Sequence, residues 1–71
     1  MDNWISVNDR LPDDDDLVLV SISGKYRNTT FSAALELARC TESEGWIVEA
    51  YPEWTNPNIT HWQPLPEPPK L

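Results

Sequence analysis

The chain carries one cysteine, one histidine and five basic residues in a length of 71, and each scarcity removes a class of function. A lone thiol, Cys40, forms no intramolecular disulfide. One cysteine and one histidine make no cluster for a structural zinc, and His61 by itself builds no multi-histidine metal centre. Five basic residues against twelve acidic ones leave a formal charge of −7. That balance disfavours non-specific binding to nucleic-acid phosphates or anionic lipid, since both need a basic face. No apolar run approaches the roughly eighteen residues of a membrane span. The N-terminus lacks the basic-then-apolar pattern of a signal peptide. The chain therefore reads as cytoplasmic, and the sequons Asn28-Thr29-Thr30 and Asn58-Ile59-Thr60 as chance matches. No linker or internal repeat divides it, so one domain over 1–71 is expected.

What the chain does have is tryptophan. Domains of this size bury only roughly 60% of the surface their unfolded form exposes, and they usually lean on a staple or a partner. With disulfide and zinc excluded, Trp4, Trp46, Trp54 and Trp62 are the available payload, each worth on the order of 200 Å² of burial.

Taken in order, Trp4-Ile5 suits a short strand or anchoring arm. Ser6-Val7-Asn8-Asp9 suits an N-terminal helical turn, with the Ser6 hydroxyl as cap and Asp9 in the first turn. Pro12 stops it by disfavouring helix at Leu11. The four adjacent carboxylates of Asp13–Asp16 repel one another and read as a solvated loop. They lack the alternating oxygens, the glycine and the closing glutamate of a calcium loop. Leu17 to Ser23 is the clearest strand, with Val18, Val20 and Ile22 on one face and Leu17, Leu19 and Ser21 on the other. Apolar residues on both faces predict a central strand covered on both sides. A polar turn follows at Gly24–Asn28.

Phe31 to Cys40 supports two periods. Period two aligns Phe31, Ala33, Leu35 and Leu37; period 3.6 aligns Phe31, Ala34, Leu35 and Ala38. Residue propensity favours helix, but the turn-rich Thr41–Gly45 and strand-like Trp46–Tyr51 complete a hairpin, and strand is the reading adopted. Pro52–Asn58 is loop and Ile59–Trp62 extended. From Pro64 onward the prolines predict a polyproline-like segment packed back on the domain. The fold expected is mainly β, a compact antiparallel sheet of three to four strands, with a small α+β arrangement as the alternative.

Candidate functional residues are few. His61 suits a structural bond to the N-terminal turn, through Asp9 or a backbone carbonyl. As a general base it would need Asp9 or Glu67 to orient it and a nucleophile that the sequence does not show. Arg10 suits a pair with Asp9 or stacking on a tryptophan, or anion recognition. Trp54, in a proline-asparagine loop, either plugs an end of the sheet or binds a partner. The proline-rich tail is a ligand for an aromatic groove or a cover for the protein's own rings. Cys40 is an apolar filler.

Two stretches then stand out together. Trp4-Ile5-Ser6-Val7-Asn8-Asp9-Arg10-Leu11-Pro12 opens the chain, and Thr60-His61-Trp62-Gln63-Pro64-Leu65-Pro66-Glu67-Pro68-Pro69 closes it. With Val18-Leu19-Val20 and Gly45-Trp46 between them, they resemble the small bacterial and bacteriophage family catalogued as domain of unknown function 551. Gln63 departs from the methionine common there. The resemblance implies a small β-rich domain and a phage or prophage origin, and it brings no catalytic residues.

The functional expectation is a non-catalytic accessory protein, without cofactor or metal, in a bacterial host cell. Its partner is a host or phage protein, and its candidate binding residues are Trp54, Trp62, His61, Arg10 and Trp4. Self-association stays open. One alternative is a small-molecule binder of nucleotide type acting against host defence, which needs Arg10, Lys25, Arg27 and Arg39 to converge. Another is an acidic DNA mimic, which needs carboxylates in rows.

Overall fold

Strict alternation from Leu17 to Ile22 fixes the first long strand. In the computed structural model, which describes residues 4–66, Val18, Val20 and Ile22 are at most 2% exposed. Five strands form in all: β1 (Ile5–Ser6), β2 (Leu17–Tyr26), β3 (Thr29–Thr41), β4 (Gly45–Val48) and β5 (Asn58–Pro64). They make one sheet in the order β1-β5-β2-β3-β4, antiparallel at every step. The last strand thus lies between the first two.

Phe31–Cys40 is strand throughout, so sheet pairing overrides the helical propensity of its alanines and leucines. Its faces differ from simple alternation, because Ser32 and Ala33 together oppose the single Ser23. That β-bulge shifts the phase by one residue. Phe31, Ala34 and Ala38 therefore share the face of Val18 and Ile22, while Leu35 and Leu37 turn to the opposite face beside Ser21 and Leu19. Ala33 adopts φ 51° at the bulge, and its amide donates to the Ser23 hydroxyl at 3.0 Å. A second bulge on the other flank of β2 inserts Thr60 between the partners of Ser21 and Ile22, so Ile59 and Trp62 both reach the core and His61 does not.

The core is the single buried face, with Val18, Val20, Ile22, Phe31, Ala38, Val48, Ile59 and Trp62. Each large aliphatic side chain buried there contributes about 1.5–3 kcal/mol. Residues 49–57 fold across this face, held by the Tyr51 amide on the Val48 carbonyl and the Trp54 amide on the Tyr51 carbonyl, both at 3.0 Å. They deliver Trp54 into a ring cluster, 5.1 Å from Tyr26 and 5.0 Å from Phe31 between centroids, with Tyr51 beside it.

The sheet has five strands where three to four were expected, and three further expectations need correction. Ser6–Asp9 is not helical: the Asn8 amide does donate to the Ser6 hydroxyl, but the Asp9 and Arg10 amides both close on the Ser6 carbonyl and the chain leaves as a turn. Pro64 belongs to β5; β1 ends opposite Trp62, so beyond that point β5 has an unpaired side where a proline is tolerated. The rest of the expected proline-rich cover, from Glu67 on, lies outside the described residues. The third is the expectation of cover on both sides of β2. No helix or second sheet is present among the described residues, and the face carrying Leu19, Leu35 and Leu37 is open.

Candidate functional site

The open face is built by strand register. β5 contributes His61 and Gln63, β2 contributes Ser21, Leu19 and Leu17, β3 contributes Leu35, Leu37 and Arg39, and β4 contributes Ile47. Leu35 is 59% and Leu37 41% exposed, two of the most exposed large apolar side chains described. At one end the strip enters an apolar hollow of about 370 Å³ lined by Trp4, Ser21, Ala33, Leu35 and His61. At the other end Ile47 borders a hollow of about 460 Å³ with Asp14, Asp15, Glu42 and Glu44 in its wall.

The cation beside Ile47, Arg39, is already neutralised. Arg39 forks onto Glu49 through Nε at 3.0 Å and Nη2 at 3.3 Å, and reaches Asp15 at 3.4 Å. The hydrogen bond to Glu49, then that to Asp15, raise its pKa further, so it stays charged at any working pH. The face is apolar in the middle and acidic at one end.

The five residues singled out from sequence fall into three places. Trp4 and His61 meet in the apolar hollow of the open face. Trp62 and Arg10 meet on the core side: the Trp62 Nε1 donates to the Arg10 carbonyl at 2.9 Å, and the Arg10 guanidinium lies 5.7 Å above the same ring. That stacking was one of the three readings of Arg10; the ion pair with Asp9 is not formed. The two line a mixed groove of about 420 Å³ with Asp13, Asp16 and Leu65. Trp54 is apart from both, 9% exposed in its ring cluster. His61 contacts the Thr60 hydroxyl at 3.0 Å rather than Asp9, and Glu67 lies outside the described residues. Trp62, and the Val7 amide on the Thr60 carbonyl, join the two terminal motifs in its place.

The remaining basic residues do not converge. Leu17 faces Arg39 at one end of β2, while Lys25 is eight residues along, roughly 26 Å away at strand rise. The carboxylates form a cluster and not rows: the Asp15 amide binds the Cys40 carbonyl, and Asp14 accepts the Glu42 amide at 2.8 Å. No group of residues able to hold a metal occurs among the described residues, and no helix is long and apolar enough to cross a membrane.

Residues 3–70 match the family described as protein of unknown function (DUF551). The chain belongs to that family. No curated protein and no solved structure matches it. The DUF551 match takes in both terminal motifs; in this DUF551 chain they meet through Trp62 and the turn at Arg10.

Leu19, Leu35, Leu37 and Ile47 were not among the sequence candidates. Their signal was present: β2 and β3 carry apolar residues on both faces, and 71 residues hold too little chain to cover both.

Proposed function

We propose that this protein is a non-catalytic binding protein whose partner, another protein, docks on the open face of the sheet. The observation that carries this reading is the exposure of Leu35 and Leu37 on a face that no other element among the described residues covers. Contiguous apolar surface of this kind marks interaction sites. Trp4, half-buried at one end of the strip, supplies the aromatic anchor on which such interfaces commonly depend. A phage or prophage accessory role, which the family resemblance implies, suits a small adaptor of this kind.

Catalysis finds less support. His61 is exposed, and among the described residues no carboxylate orients its ring, whereas nucleophilic sites hold their base with a third group. A nucleotide would need cations for its phosphates, and the basic side chains are spread along the sheet. A DNA mimic would need ordered rows of carboxylates, and the acids here gather at one end.

The test is site-specific photo-crosslinking in cells of the source organism. A photoreactive residue at Leu37 captures a discrete protein, one at Asn28 on the β2–β3 hairpin does not, and Leu35→Asp abolishes the Leu37 product. Equal capture from both positions, or none from Leu37, overturns the reading.

A further inference from the structure

We infer that the occupant of the open face is a basic amphipathic helix of the partner protein, lying along the strip with its cationic end over Ile47. The inference rests on the protein-binding reading above and names the chemistry of the partner.

Size is the first argument. The face spans four strands, β5 to β4, at about 4.8 Å spacing, and some seven residues of strand at about 3.3 Å each. That is roughly 15 by 25 Å, or about 400 Å², well below the ~800 Å² each partner buries in a standard stable interface. The face is thus sized for one slender element, and a second copy would have to bury surface beyond it to reach a standard stable interface. A helix is about 10 Å across, and some sixteen residues span 25 Å, so one helix of about four turns fits the strip. Its anchors would recur at i, i+3, i+4 and i+7 and lie against Leu35, Leu19 and Leu37, with a bulky apolar residue in the hollow beside Trp4 and His61.

Charge is the second argument, and it sets direction. At the Trp4 end no carboxylate among the described residues lines the hollow. At the Ile47 end Asp14, Asp15, Glu42 and Glu44 do, and the nearest cation, Arg39, is held by Glu49 and Asp15. A lysine- or arginine-rich end would find Asp14, Glu42 and Glu44 without a salt bridge among the described residues, whereas a second copy of a chain with charge −7 would bring like charge to them.

The experiment uses the full chain and two synthetic 18-residue peptides. One carries a leucine stripe with four lysines clustered at one end; the other replaces those lysines by glutamate. Methyl NMR titration should show shifts at Leu19, Leu35, Leu37 and Ile47 with the lysine peptide, and at least tenfold weaker binding with the glutamate peptide. The exposed pair Glu42→Gln and Glu44→Gln should lower affinity several-fold, and added salt should do the same. Equal binding of both peptides, or shifts away from these methyls, overturns the inference. If neither peptide binds while Leu37 still crosslinks a partner, the helix is wrong and the docking face stands. If sedimentation finds a dimer that Leu35→Asp dissolves, a second copy holds the face and the inference falls.

Discussion

The Trp62 indole donates to the Arg10 carbonyl at 2.9 Å while the Arg10 guanidinium lies 5.7 Å over the same ring, so one residue of the N-terminal turn grips one residue of the last strand twice. The two contacts differ in weight. Trp62 is 5% exposed, and its ring supports the core beside Val20. Trp62→Phe loses the hydrogen bond and part of the ring, and should cost about 1–3 kcal/mol in urea denaturation. Arg10→Ala removes an exposed cation–π contact and should cost about 0.5 kcal/mol. A larger loss for Arg10→Ala than for Trp62→Phe would overturn this ranking.

Trp54 is a core residue delivered by a loop. Trp54→Ala empties the centre of the Tyr26, Phe31 and Tyr51 cluster and should cost about 3–5 kcal/mol. Thermal unfolding and near-ultraviolet circular dichroism would both register the loss; unchanged melting would show that the cluster contributes little.

Two backbone positions should respond in opposite directions. Ala33 holds φ 51° without the freedom of a glycine, and Ala33→Gly should stabilise by about 0.5–1 kcal/mol once relief of strain is set against the entropy of glycine. Gly45 sits at φ 75° with nothing within 4 Å of an added Cβ, so Gly45→Ala tests backbone strain alone and should destabilise by about 1 kcal/mol. Denaturant midpoints of the two variants, moving to opposite sides of wild type, are the expected result.

Burial, and secondarily the Asp14 carboxylate, push the Cys40 thiol above its ordinary range. The folded thiol keeps its proton at pH values where the unfolded chain, titrating near ~8.5, has begun to release it. The contribution to stability is therefore full below that range and declines as pH rises through it toward the folded value. Disulfide-exchange reagents at pH 8 should react with Cys40 several-fold more slowly in the native protein than in urea. Asp14→Asn, which keeps the acceptor oxygen for the Glu42 amide and removes the charge, should quicken the native reaction.

Leu35→Ser and Leu37→Ser should leave stability within about 0.5 kcal/mol of wild type, because exposed positions contribute little to folding. Calorimetry checks this directly. A marked drop in melting temperature would mean that the open face supports the fold.

The sheet was legible where alternation is unbroken and illegible where a bulge shifts it. Leu17–Ile22 alternates without a fault, and its strand and the division of its two faces were legible, whereas the cover expected on the second face is absent among the described residues. At Phe31–Ala38 the extra residue at the bulge spaces the core-facing positions Phe31, Ala34 and Ala38 by three and four, which is helical spacing produced by a strand. The same device spaces Ile59 and Trp62 by three. Stacking on a tryptophan was one of the readings open to Arg10, but which ring it meets depends on the pairing of β1 with β5. The open face escaped notice because apolar residues on both sides of a strand ordinarily mean two covers, and a shortage of chain is visible only once the whole sheet is assembled.

β5 lies between β1 and β2, and this imposes an order on synthesis. A ribosome making the chain at about 5–20 residues per second produces β2, β3 and β4 as a meander with the Val18–Ser23 edge of β2 uncovered, and β1 has no strand to join. Only when residues 58–64 emerge do both find their neighbour, in pairings between residues at least 35 apart in the chain. Such distant closures are slow. Until they form, the nascent protein exposes the edge of its most apolar strand, and a chaperone or the chain's own partner would find it most accessible then.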